Sequence, residues 1–192
     1  SATSVTETSA VTGGNVTSDG TASGRERGEG YATTQNRTTA NTKVASGNGT
    51  GSFVCSLSGV QPNTKYYVRA YAINSKGTAY GEEVSFTTNK QIVLPTVKTT
   101  AASSVTETSA VTGGNVTSDG NASVTERGVV YSLSATPAIN DLSSTIVRSG
   151  SGTGVFTCNL TNLQSGTKYF VRAYAVNDKG TAYGEVVSFT TA

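Results

Sequence analysis

Seventeen residues, Ser4–Gly20, recur unchanged as Ser104–Gly120, and Thr64–Thr88 recurs as Thr167–Thr191 with four differences. So close a duplication makes the chain one module used twice in tandem, which constrains the fold more than any other feature. It divides the sequence into units 1–89 and 90–192, each the size of a small domain. A chemical site is ordinarily built once, whereas repetition serves reach, stacking or multivalent contact.

Within each unit the apolar residues alternate. Phe53-x-Cys55-x-Leu57 and Phe156-x-Cys158-x-Leu160 put three side chains on one face of a strand. In the next run Tyr66, Val68, Ala70 and Ala72 share one face, and Tyr67, Arg69, Tyr71 and Ile73 the other. The predicted strands are Ser9–Thr17, Glu26–Thr33, Phe53–Val60, Lys65–Ile73 and Thr78–Thr87. They are punctuated by Asp19-Gly20, the Gly-rich Ser46–Gly51 and Asn74–Gly77, and the second unit repeats the order. Helical periodicity is absent. The expected fold class is all-β: two tandem antiparallel β-sandwiches. An apolar share of 35% suits sheets that bury one face each. The alternating runs and a net charge of only +2 argue against disorder. Cys55 and Cys158, on core-facing positions of equivalent strands, are expected to be buried free thiols.

The same inventory narrows function. A charge of +2 offers no footprint for nucleic acid or an anionic membrane. No apolar run approaches the ~20 residues that span a bilayer, so no membrane insertion is expected. With no His, imidazole bases and His-ligated metals have no source. Without Trp the strongest sugar-stacking ring is missing. Glu82 and Glu83 are neighbours on a strand and point to opposite faces, which is wrong for acid–base work on one bond. Asp19 and Asp119 are turn residues without further carboxylates at calcium-ligand spacing. The Gly-rich turns lack the Gly-Lys-Ser/Thr ending of a phosphate loop. No catalytic, metal or cofactor-binding residue is expected, and no enzyme. A chain starting at Ser1 with no Met reads as a processed protein or an excerpt.

Leu57-Ser-Gly-Val60 followed by a turn and Tyr66, and Leu160-Thr-Asn-Leu163 followed by Tyr169, are similar to the tyrosine corner of fibronectin type III domains. Glu126-Arg-Gly-Val-Val-Tyr131, Gly152-Thr-Gly-Val-Phe156, Tyr169–Ala175 and Gly180–Glu185 with Ser188-Phe-Thr-Thr191 extend the likeness to nearly the whole chain. Together they resemble fibronectin-like repeats of secreted and surface proteins of Gram-negative environmental bacteria. The resemblance implies an immunoglobulin-like fold, an extracellular or cell-surface setting and a spacer, adhesive or structural role. In the first unit Glu29-Gly30 replace Val129-Val130, a departure at its second strand position.

The two units begin differently. Asn89–Thr99 reads as a first strand for the second unit, with Gln91–Val97 paired, Ile92 and Leu94 as apolar contacts and Pro95 marking an edge. Ser1–Ser4 aligns with Ala101–Ser104, so the first unit shows no counterpart and is expected to present an uncovered sheet edge. Six Asn-x-Ser/Thr sequons, at Asn15, Asn36, Asn48, Asn115, Asn121 and Asn159, are candidate glycan attachment points. The stripes Tyr67, Arg69, Tyr71 and Phe170, Arg172, Tyr174 are expected to face outward, either stacking on a sugar or neighbouring subunit or forming a cross-strand ladder under Arg. The expected function is a non-enzymatic extracellular structural protein, self-associating head-to-tail into a surface filament by strand or groove complementation. A spacer or adhesive segment of a larger secreted protein, and a carbohydrate-binding accessory module, are the alternatives.

Overall fold

The period-two patterns fold as strands, and long-range pairing decides which faces close. The computed structural model describes residues Ser1–Ala192 as fourteen strands without a helix. The chain forms two compact units, Ser1–Gln91 and Ile92–Ala192. In the first, β1 (Ser9–Val16) pairs with β4 (Gly51–Ser58). The second sheet runs β3 (Thr42–Ala45), β2 (Glu26–Ala32), β5 (Lys65–Asn74), β6 (Gly77–Thr87). All these pairings are antiparallel.

The second unit repeats the plan and adds a strand. Here β7 (Thr96–Ser103) lies beside β8 (Ala110–Ser118), which pairs with β11 (Gly154–Leu160). Opposite them, β10 (Thr145–Arg148), β9 (Glu126–Ser132) and β12 (Lys168–Asn177) form a sheet. Its far edge is divided into β13 (Gly180–Tyr183) and β14 (Val187–Thr190), both along β12.

Each unit buries the alternating apolar face between its sheets. Ala10, Leu57, Val60, Tyr66, Val68 and Phe86 form the first core. The equivalent Ala110, Leu160, Leu163, Tyr169 and Val171 continue in the second into Val97, Val116, Ala173 and Ala175. The Tyr66 hydroxyl accepts the Gln61 N–H at 2.9 Å, and Tyr169 accepts that of Gln164 at 3.0 Å. Each ring thereby pins the turn before its own strand. Cys55 and Cys158 are buried free thiols that donate to the Val44 and Val147 carbonyls. Burial pushes both thiols up.

Two expectations need correction. Of residues Gln91–Val97 only Thr96 and Val97 are paired, because the ladder begins at Thr96. Pro95, buried and without an N–H, cannot donate to it. Before it the chain is held at single points: Val93 N–H donates to the Gly120 carbonyl, and the Asn177 side-chain amide donates to the Val93 carbonyl. Leu94 is 45% exposed and Ile92 half-buried, so Val97 and Pro95 supply the buried apolar surface.

The second correction concerns the stripes. Tyr71 is 2% exposed and Tyr174 fully buried, so neither ring offers an outward face. Their cross-strand partners are Gly28 and Gly128, and each ring lies over the glycine where no side chain stands. A Cβ at Gly28 would come within 2.8 Å of the Tyr71 hydroxyl.

Candidate functional site

The site that distinguishes the units is the place β7 occupies in the second and nothing occupies in the first. Along residues 12–16, β1 is paired only with β4, and the one further bridge is Thr3 to Val11. Beside this edge runs a groove whose two adjoining parts measure about 370 and 220 Å³. Val16, Phe53, Ala70, Ala72 and Ala79 line it, with Asn74 and Gly77 at one end.

The second unit displays the same groove filled. Val97 inserts into the core beside its pairing partner Val116. The Thr99 hydroxyl donates to the Glu185 carbonyl at 2.6 Å and accepts the Ala173 N–H at 3.0 Å. Thr112 donates to the Thr100 carbonyl at 2.7 Å. Val116, Ala173, Ala175, Gly120 and Gly184 are consequently buried, whereas Val16, Ala70 and Ala72 are only half-buried and Gly20 and Gly81 exposed. Every one of these residues is identical in the two units. At these positions the difference is therefore occupancy, while Gly24, which also lines the groove, stands where the second core has Val124. Covering a Val-sized side chain there is worth roughly 1.5–3 kcal/mol.

Sequence reading anticipated an open edge but missed the residues that make the groove. The available signal was the glycines kept in both copies. Gly114 and Gly184 leave room for the β7 backbone, since a Cβ on Gly184 would meet the Thr99 hydroxyl at 2.4 Å and one on Gly114 the Lys98 carbonyl at 2.7 Å.

Paired with Ala70 in the register of β2 and β5, Glu29 points into the first core at 1% exposure. Its only hydrogen bond is a long one of 3.4 Å from Thr12, and Oε2 has no partner. Burial pushes its carboxyl up to about 7, opposed by Thr12 and the amino-terminal charge. In the second unit the position is Val129 and Thr112 turns to β7 instead.

On the opposite face of the sheet β3–β2–β5–β6, the remaining stripe residues work as fasteners. Arg69 donates to the Gly81 carbonyl and stacks 4.8 Å over Tyr80, while Tyr80 accepts the Thr39 N–H. Arg172 donates to the Pro137 carbonyl and stacks 3.7 Å over Tyr183. Both hold the connection after β2 or β9 against the sheet. Tyr67 and Phe170 are half-buried under the ammonium groups of Lys65 and Lys168, each at 5.2 Å. Tyr71 donates to Glu26, which also takes Lys43, and the two bonds hold that carboxyl below the usual range. Tyr174 donates to Glu126, and there the cation is Arg148, two strand positions further along.

Among the sequons, Asn15, Asn36, Asn48, Asn121 and Asn159 are exposed and Asn115 is half-buried. Asp19 and Asp119 accept the backbone N–H two residues on, which is turn chemistry, and no group of His, Cys, Asp or Glu is arranged to hold a metal. Glu83 accepts the Arg37 N–H, and its carboxylate stands 3.9 Å from the buried Arg37 Nε, too long for a hydrogen bond. No family model and no curated protein matches the chain.

Proposed function

We propose that the protein is a non-enzymatic extracellular structural protein, made of fibronectin type III-like, immunoglobulin-like sandwiches in tandem, that assembles with its own kind into a surface filament. The observation that carries this reading is the pair of equivalent grooves, one filled by β7 and one open beside β1. An open strand edge next to an apolar groove is suited to strand addition from a neighbouring repeat. Subunits joined by unlike surfaces build open fibres. The fibronectin-like assignment is supported by the tyrosine that bonds back across its preceding turn in both units.

A glycan-binding accessory module is disfavoured by the outward face, where Tyr71 and Tyr174 are covered and Arg69 and Arg172 are spent on backbone carbonyls. A spacer segment differs from a filament subunit only in whether the chains polymerise. Negative-stain electron microscopy with light scattering on the purified chain tests this. Filaments of uniform width are the expected result. Monodisperse monomers at high concentration would favour the spacer, and saturable oligosaccharide binding the accessory module.

A further inference from the structure

The filled and open grooves together specify what the open one accepts. We propose that the groove of the first unit is a receptor for an extended segment of the type Val93-Leu-Pro-Thr-Val-Lys-Thr-Thr100, contributed by another repeat of this kind and added antiparallel to the free edge of β1. This deepens the reading of a self-associating structural protein and rests on it.

The contacts that anchor Val93, Leu94, Val97 and Thr99 in the second unit have counterparts in the first. The Val93 N–H, taken by the Gly120 carbonyl, meets Gly20, and the Val93 carbonyl, held by the Asn177 amide, meets Asn74. At present the Asn74 amide donates to the Asp19 carbonyl, as Asn177 does to Asp119 while also holding Val93. One arm of the interaction is therefore already in place. The Leu94 side chain, which packs near Gly180, meets Gly77. Val97 enters the apolar stretch of Val16, Ala70 and Ala72. The Thr99 hydroxyl, bridging Ala173 and Glu185, meets Ala70 and Glu82. The groove thus selects by shape at the Val97 position and by a donor–acceptor hydroxyl at the Thr99 position.

The occupant is a segment of this type because the second unit covers the equivalents of the same groove residues with one. Moving it to the first unit of a neighbour would only exchange one open groove for another. Complementation of both grooves needs a second segment of the same chemistry.

Gly81 and Gly184 provide the test, since the same substitution has opposite consequences at the two. A Cβ on Gly81 would meet only Ala70, at 3.5 Å from its Cβ, an ordinary contact. A Cβ on Gly184 collides with Thr99. The probe is a synthetic peptide of residues 92–100, titrated into the full chain and followed by amide chemical shifts. Saturable shifts at Ala70, Tyr80 and Gly81 are expected, with Ala173 and Gly184 unmoved. Gly81→Ala should leave the thermal midpoint of the peptide-free chain unchanged and weaken peptide binding by about tenfold or more. A peptide with Thr99→Val should bind more weakly than the native one. Absence of saturable shifts, shifts confined to the second unit, or binding indifferent to Gly81→Ala would each overturn the proposal. If filaments form while the peptide fails to bind, the groove assignment falls and the structural role stands. If the peptide binds and no filament forms, the groove assignment stands and the filament falls.

Discussion

Glu29 is the residue at which the two copies diverge most sharply in energy. The second unit has Val129, buried and apolar, where the first buries a carboxyl with one oxygen unpartnered. The folded group titrates at about 7 against an ordinary 4.5 in the unfolded chain. Between those pH values the folded unit holds a proton that the unfolded chain has released. Stability of the first unit is therefore greatest below 4.5 and falls as pH rises through about 7, by ~3 kcal/mol in all. Urea titrations at pH 5 and pH 8 should reveal that loss. Glu29→Val should abolish it and raise the stability at pH 8; an unchanged pH dependence in the variant would refute the assignment. The thiols give a second check on burial. A thiol reagent should label Cys55 and Cys158 only after denaturant is added, and rapid labelling of the native chain would contradict their packing.

Among the elements, the connection after β2 is fastened differently from its twin after β9. Arg37 is buried, with its N–H on Glu83 and its guanidinium beside the same carboxylate. The second unit puts Pro137 and Val186 there: a residue with no N–H to donate opposite one with no oxygen to accept it. Gly30, beside Arg37, becomes Val130, so volume is traded along with charge. Breaking the pair from one side should be costly. Glu83→Val is expected to lower the stability of the first unit by ~3 kcal/mol, because it strands a buried cation. Adding Arg37→Pro should recover most of the loss, and chemical denaturation of the three proteins measures it. The hydrogen bond from the Gln61 N–H to the Tyr66 hydroxyl makes a smaller contribution. Tyr66→Phe removes the acceptor of the Gln61 N–H and should cost about 1–3 kcal/mol, less if water reaches the freed group.

At the level of the whole molecule, two units that share long identical stretches should differ in stability. The second closes its groove with Val97 and Thr99, while the first leaves apolar surface along Val16, Ala70 and Ala72 partly exposed and carries Glu29 in its core. Calorimetry at pH 8 should resolve two transitions, the lower belonging to the first unit. Gly184→Ala should lower the upper transition alone, because it displaces β7. A single coincident transition that Gly184→Ala leaves unmoved would contradict this account.

Much of this architecture is local and could be read from residue order. The duplication, the alternation of Phe53, Cys55 and Leu57, and the Asp-Gly and Gly-rich turns depend on neighbours in the chain, so five strands of each unit were legible within a residue or two at most ends, whereas the four-residue β3 and β10 carry too short a pattern to be read. What covers a given face is decided by partners far away in sequence. Tyr71 reads as outward by alternation and is buried because Gly28 stands opposite, and Glu29 faces the core because its strand pairs in register with Ala70. The start of β7 at Thr96 rather than Gln91 follows from Pro95 and from the single anchors at Gly120 and Asn177. The groove depends on the same kind of pairing: Val16, Ala70 and Ala72 recur as Val116, Ala173 and Ala175, and the presence of Val97 and Thr99 across the sheets, with Val124 in place of Gly24, makes one a core and the other a cleft. A period of two orders side chains along a strand, but only contacts between distant strands determine which of those side chains water can reach.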